Sequence, residues 1–281
     1  MVASNPGTRS RFPPGFLCAS GRDLAKALAV EIIAHRGASF DAPENTLAAV
    51  QLGWQQKADA VEIDVQMSKD KKIVVIHDDN TRKPAGVKKK VCDQSLAQLR
   101  TLDAGQWKGS QWTGEKIPTL EEVLDTIPDG KRLFIEIKCG PECLPEFAKV
   151  VKRSGKKAEQ IVPIGFSLPT MALCKKKMPE LETCWVAEFK RNWTTGRWSP
   201  APEHFIQQAS NAGLDGLDLG ARGPIDSTLV KQLKAARLKL YIWTVDAPLQ
   251  ARRLAEAGVH GIATNRPAWL REKMGLKSAA N

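Results

Sequence analysis

Tyrosine occurs once and histidine four times in the 281 residues, so each histidine's position carries information. No stretch approaches the roughly 20 consecutive apolar residues that a membrane-spanning helix needs. The first 28 residues hold no apolar segment of signal-peptide length, because charges and prolines interrupt them. They read as a loose leader with one short helix over 22–29, ahead of a single folded unit over 29–281, and a cytoplasmic location is the expectation. The six cysteines (Cys18, Cys92, Cys139, Cys143, Cys174, Cys184) include no CxxC and are too scattered for a disulfide scaffold. Buried thiols in a reducing compartment are expected instead. No glycine-rich phosphate turn follows the first apolar run, which argues against an open doubly wound sheet. RNP-like, helix-turn-helix and zinc-finger patterns are missing too, so nucleic acid is not an expected partner.

What is present suits a folded protein with a sizeable core: 42% of residues are hydrophobic and 26% charged. Lysine and arginine number 42 against 31 acidic residues, a net charge of +11. The surplus lies in short runs at Lys88–Lys90, Lys152–Arg153, Lys156–Lys157 and Lys175–Lys177. Such runs are ordinarily solvated faces. They also create a field that attracts anionic substrates and favours weak contact with an anionic membrane surface.

Short β-rich runs recur at 31–35, 60–66, 73–77, 133–138, 161–167, 183–187, 214–219, 239–244 and 259–264. Helical patterns separate most of them, at 44–56, 119–126, 142–154, 169–178, 202–212, 224–237 and 248–257. That alternation predicts βα units and a parallel sheet. The 60–66 and 73–77 runs are too close for a crossover and pair as a hairpin. Eight parallel strands remain, the number of a (β/α)8 TIM barrel in the α/β class. Residues 79–118 break the rhythm and read as a small insertion after the second strand.

Barrel active sites lie at the C-terminal ends of the strands. The first strand ends in His35-Arg36-Gly37, the second carries Glu62-Ile63-Asp64, its hairpin partner ends in His77-Asp78, and the next carries Glu136-Ile137-Lys138. Residues i and i+2 of a strand share a face, so Glu62 lies with Asp64 and Glu136 with Lys138. Charged pairs on strands this apolar are costly without partners. Three carboxylates at one mouth suggest a divalent metal with oxygen ligands, Mg²⁺ or Ca²⁺. The bland alternative is rim salt bridges such as Lys138 with Asp64. His35 and His77, both ending strands beside that cluster, suit a general base and a general acid. Arg36 and Lys138 would supply positive charge to a phosphate. His204 and His260 are expected to be structural.

These residues form an ordered set. HRG at 35–37, Pro43-Glu44-Asn45-Thr46, Glu62-Ile63-Asp64 and His77-Asp78 are followed by Leu102-Asp103-Ala104-Gly105 and Ile117-Pro118-Thr119-Leu120. Glu136-Ile137-Lys138 and Trp243-Thr244-Val245 complete it. From about Ile32 to Leu270 the chain resembles the glycerophosphodiester phosphodiesterase family. The resemblance implies a TIM barrel with an insertion after the second strand. It implies Glu62, Asp64 and Glu136 as metal ligands, His35 and His77 as the acid–base pair, and Arg36 and Lys138 as phosphate contacts. Glu44 and Asn45 would fix the first loop, and Phe166 and Trp243 would line the substrate pocket. Two departures stand out. Asn265 occupies a position where the family commonly has Asp, and is expected to cap the helix before Pro267. The segment Thr81-Arg82-Lys83-Pro84 also differs from the usual pattern, near His77.

The expected reaction is metal-dependent cleavage of a small-molecule glycerophosphodiester to sn-glycerol 3-phosphate and an alcohol. The nucleophile is either the substrate's own 2-hydroxyl or water. One rival is a lysophospholipase D or sphingomyelinase D-like enzyme acting on long-chain lipids. An apolar rim built from Trp107, Trp112, Trp193 and Trp198 would mark it, unless each tryptophan packs into its own loop. A non-catalytic phosphate-binding protein is the rival from another class.

Overall fold

Alternating side chains decide this architecture. Every strand of a barrel sends one set of residues inward and the other outward beneath the helices. The computed structural model describes residues 30–276; the expected leader and its 22–29 helix lie outside them. Eight parallel strands close on themselves: β1 (Glu31–Ala34), β2 (Ala60–Met67), β4 (Arg132–Ile137), β5 (Ile161–Gly165), β6 (Cys184–Ala187), β9 (Gly216–Gly220), β10 (Lys239–Trp243) and β11 (Gly261–Thr264). Closure comes from β1 pairing with both β11 and β2. The short β3 (Ile73–Val75) runs antiparallel to the end of β2. This is the expected TIM barrel.

Outward residues such as Val61, Ile63 and Val65 pack with the helices into the main core. Inward residues, among them Ile33, Phe134, Val162, Val186 and Ala263, form a separate cluster inside the barrel. Below that cluster the barrel is plugged. Arg132 Nη1 lies 2.9 Å from Glu31 and 3.1 Å from the Tyr241 hydroxyl, and its Nη2 lies 2.9 Å from Glu182. Among the described residues these contacts close the barrel's lower end, whereas its C-terminal mouth is open.

The helices follow the expected pattern with trimmed ends; the segment predicted at 224–237 is helical over Ser227–Ala235. Thr46 caps Leu47–Gln55 by accepting from the Ala49 N–H. Thr119 and Glu122 make a reciprocal capping box for Leu120–Asp125.

Residues 79–118 hold two short α-helices (Arg82–Ala85 and Leu96–Thr101) and three 3₁₀ turns. They share a small apolar cluster of Val74, Ile76, Val91, Leu99, Ala104 and Ile117. The Leu102–Gly105 motif builds a turn here: Asp103 accepts from the N–H groups of Gly105, Gln106 and Gly114. A side chain at Gly105 would meet the Trp112 carbonyl. The segment is tied to the barrel mouth by Lys83 against Glu44 (2.7 Å) and by the Lys108 ammonium donating to the Ser39 carbonyl (2.8 Å).

The loop after β6 also differs from expectation. Lys190–Arg191 (β7) and Trp198–Ser199 (β8) pair into a small antiparallel hairpin. Cys143, Cys174 and Cys184 are buried and Cys139 is partly so, but Cys92 is exposed, contrary to the expectation for the thiols as a group.

Candidate active site

Inward-facing positions near the mouth carry charge where the lower layers carry valine and phenylalanine. Glu62 and Asp64 both point inward from β2, and Asp64 sits beside Glu136 in the β2–β4 register. The three carboxylates are buried, and one oxygen from each lies within 4.8 Å of the others. A buried carboxylate without compensation costs several kcal/mol, so this cluster opposes folding unless cations balance it. Two cations of the chain do so in part. Lys138 Nζ lies 2.7 Å from Glu136 and 3.2 Å from Asp64, while Arg36 Nε lies 3.2 Å from Asp64. The contact between Lys138 and Asp64 therefore exists, but inside the barrel rather than on its rim.

The balance is incomplete, and the carboxyl groups record it. Burial, then Asp64 and Glu136, pushes Glu62 well above the usual carboxylate range. Burial and Asp64 raise Glu136 to about 7. Burial acts against Asp64 too, but Lys138 and Arg36 outweigh it and hold this group below its ordinary value. Fully ionised, as a bound cation would make them, the three carboxylates exceed the two cations by one negative charge. A divalent ion would convert it to a single positive charge, which a phosphodiester monoanion cancels. The all-oxygen donor set and its close spacing fit a hard divalent cation.

The first loop is held rigidly around this cluster. Arg36 (φ 56°) and Gly37 (φ 79°) are both left-handed. A Cβ on Gly37 would fall 2.4 Å from the Ala49 carbonyl carbon, so only glycine fits. The turn aims the Arg36 N–H at Glu62 Oε2 (2.8 Å), and the guanidinium reaches Glu44 (3.0 Å). Asn45 exchanges two hydrogen bonds with Asp64, side-chain amide to carboxylate (2.8 Å) and backbone N–H to amide oxygen (3.0 Å).

The two histidines are supported differently. His35 Nδ1 lies 2.8 Å from Asn265 Oδ1. Asn265 donates its amide to Asp246 (2.7 Å) and its Oδ1 also accepts from Ser39 (2.9 Å). Its oxygen thus faces His35, which makes Nδ1 the protonated atom and leaves Nε2 as the basic one. Burial, then the neighbouring Arg36, lowers the His35 pKa to about 4, so the ring is neutral at pH 7. His77 Nδ1 lies 2.6 Å from the Asp78 carboxylate. A neutral amide thus backs one imidazole and an anion the other.

Asn265 is therefore not the helix cap that the sequence suggested. Arg266 holds the N-cap position of Pro267–Met274, with no capping side chain. The amide of Asn265 is committed to Asp246 and His35.

A cavity of about 110 Å³ joins these groups, lined by His35, Arg36, Glu62, His77, Glu136 and Lys138 among others. Phe166 and Trp243 stand on its far wall in an edge-to-face pair, 5.7 Å between centroids. Lys138 Nζ is 5.6 Å from the Phe166 ring. All nine sequence-predicted site residues thus meet at one mouth, Asp64 through its contacts with Arg36 and Lys138. His260 lies apart, accepting the Leu240 N–H, and His204 sits on an exposed helical turn against Phe205.

Asp218 lines the same cavity and was not singled out from the sequence. It is 5% exposed, and its Oδ1 has no hydrogen-bond partner. Burial, then Glu136, pushes its pKa well above the ordinary aspartate value. The signal was available: in Leu217-Asp218-Leu219 the leucines face outward, which leaves Asp218 inward.

Comparison with known proteins converges on one group. Residues 35–269 match the sequence profile of the glycerophosphoryl diester phosphodiesterase family. A glycerophosphodiester phosphodiesterase of Caldanaerobacter subterraneus subsp. tengcongensis is 33% identical over 248 residues, covering 85% of this chain and 95% of the relative. One from Bacillus subtilis is 31% identical, covering 84% and 83%. Among solved structures, an Oleispira antarctica phosphodiesterase in complex with the product sn-glycerol-3-phosphate aligns with a TM-score of 0.77 at 27% identity. That alignment covers 89% of this chain and 99% of that one.

Proposed function

The chain belongs to the glycerophosphoryl diester phosphodiesterase family, and from that premise we propose that it hydrolyses glycerophosphodiesters to sn-glycerol 3-phosphate and an alcohol. The observation that carries the reading is the meeting, at one barrel mouth, of a cluster of three carboxylates with two cations and two differently supported histidines.

Glu62, Asp64 and Glu136 would hold a divalent ion, Mg²⁺ or Ca²⁺. Bound there, it supplies charge neutralisation for the phosphate and acidifies an oxygen nucleophile. Arg36 and Lys138 orient the phosphate; both are themselves anchored, to Glu44 and Glu136 respectively, so they are preorganised. Neutral His35, with Nε2 basic, takes the nucleophile's proton. His77, its Nδ1 held by the Asp78 carboxylate, protonates the leaving alcohol. The substrate's 2-hydroxyl is the preferred nucleophile, because it is already tethered next to phosphorus and its effective molarity exceeds that of water. Its attack gives a cyclic 1,2-phosphate and releases the alcohol. Water then opens the ring with the two histidines' roles exchanged. Phe166 and Trp243 form the apolar wall of the substrate pocket.

The test is direct. Purified protein is offered a panel of glycerophosphodiesters and lysolipids, with and without chelator, and release of sn-glycerol 3-phosphate is measured. Chelator-sensitive release is expected. Binding of the diesters without turnover would instead mean a phosphate-binding protein.

A further inference from the structure

Among the described residues, the exposed large apolar side chains are Phe40, Val87, Trp107, Phe166, Trp193 and Leu249. All six lie at the mouth end of the barrel. Phe40 is in the loop after β1, and Val87 and Trp107 are on the 79–118 insertion. Phe166 directly follows β5. Trp193 is at the tip of the hairpin after β6, and Leu249 is in the first turn of the helix after β10. The loops at the plugged end contribute none. Scattered single apolar residues are ordinary on a soluble surface, but confinement to one face marks an interaction surface.

Cations are interleaved with these side chains. Five of the nine residues from Arg82 to Lys90 are basic and none is acidic. The 190–199 hairpin carries Lys190, Arg191 and Arg197, again without an acid. The Arg266 guanidinium lies between Phe40 (4.1 Å to the ring centroid) and Trp269 (4.2 Å). Trp193 is 93% exposed, and its indole meets no described residue by hydrogen bond or ring contact. Basic runs also occur at the other end of the barrel, at 152–157 and 175–177, but with no exposed large apolar side chain beside them. The combination, not the charge, singles out the mouth.

We propose that the mouth docks on an anionic phospholipid bilayer. Its aromatic tips would enter the headgroup layer, its lysines and arginines would face lipid phosphates, and the catalytic cavity would open toward the membrane. Tryptophan's amphipathic ring suits that layer, and clustered basic residues draw an anionic leaflet. The apolar tips come from five separate chain segments, an arrangement that fits a fluid plane rather than one complementary protein face. Docking in this sense is independent of the reaction proposed above.

The test uses the full chain and sedimentation with vesicles of phosphatidylcholine, alone or with about 30% phosphatidylglycerol. Partitioning onto the anionic vesicles should be at least roughly tenfold stronger, and should weaken at high salt. Trp193→Ser, and separately Lys88, Lys89 and Lys90 all changed to Ser, should each reduce it by about fivefold or more. Melting temperature and turnover of a water-soluble diester should be unchanged in these variants. Lys176→Ser with Lys177→Ser, at the plugged end, should partition like the parent. Absence of partitioning overturns the proposal. So does an equal loss in the Lys176/Lys177 control, which would show charge acting without a face. A concentration-dependent dimer abolished by Trp193→Ser would assign the surface to a second copy of the chain and overturn it too.

Discussion

Asn265 holds its amide oxygen 2.8 Å from Nδ1 of His35, across 230 positions of sequence, and is itself anchored to Asp246. The arrangement selects one tautomer. With the proton on Nδ1, the basic lone pair is on Nε2, and the group behind the ring is an uncharged amide, whereas the Asp78 carboxylate lies behind His77. In the metal-free protein His35 should titrate near 4. Its folded pKa lies below the ordinary value, so the contribution of this group to stability is lost as pH falls from about 6.5 toward 4. Histidine NMR on the chelated protein checks this; a midpoint at or above 6.5 would contradict it. Asn265→Ala should cost roughly 10–100-fold in kcat, the usual effect of losing an orienting partner, with the melting temperature little changed.

The division of labour between the histidines has its own signature. A leaving alcohol of low pKa needs no proton. His77→Ala should therefore lose roughly 10²–10⁴ in rate on a glycerophosphodiester with an alkyl leaving group, and far less on one with a p-nitrophenyl group. His35→Ala should lose comparable activity on both. Equal recovery of the two variants on the activated substrate would mean that the roles are misassigned.

Asp218 makes a stability prediction with a definite sign. Burial, then Glu136, raises its pKa in the folded protein above the unfolded value, so the wild type loses stability as pH rises above the ordinary aspartate value. Asp218→Asn removes that penalty. In chelator, the variant should be the more stable protein at pH 7. Its advantage should shrink as pH falls toward the ordinary aspartate value. Denaturant melts at several pH values measure it; parallel curves would show an ionised Asp218 in the folded state.

Metal binding should appear in stability as well as in rate. An ion that binds only the folded chain raises the melting temperature with concentration. Glu136→Gln and Glu62→Gln should weaken binding by about 1–3 kcal/mol each, the scale of a lost charge-assisted contact. In chelator both substitutions should be stabilising, since Gln ends the repulsion with Asp64. A Glu62→Gln protein that keeps the wild-type response to Mg²⁺ and Ca²⁺ would remove this residue from the ligand set.

The nucleophile is tested with an analogue whose 2-hydroxyl is methylated. Attack by that hydroxyl predicts near-complete loss of turnover while the analogue still inhibits, bound through Arg36 and Lys138. Hydrolysis at close to the parent rate would identify water as the nucleophile.

Local chemistry was readable from the sequence wherever one strand or turn carried it. Strand periodicity announced the barrel. The i, i+2 spacing of Glu62 and Asp64 placed both on one face, and the strand ends drew attention to His35, His77 and Lys138. Gly37 could be marked as special, though only the packing of Ala49 against it shows why no side chain fits. Asp218 was readable in principle from the outward leucines on either side, but a lone aspartate in a strand carries no chemistry until the cavity beside it is known. The tertiary structure alone decided the rest, because it depends on contacts between distant segments. Barrel closure sets β11 beside β1, which turns Asn265 from an apparent helix cap into the partner of His35. Register between β2 and β4 brings Glu136 against Asp64 and so raises one carboxyl while the cations lower the other. Which tryptophans pack and which stay bare is likewise a matter of neighbours: Trp112 and Trp198 find partial cover, whereas Trp193 finds none. Composition and periodicity act along the chain, whereas burial and electrostatic coupling act through space.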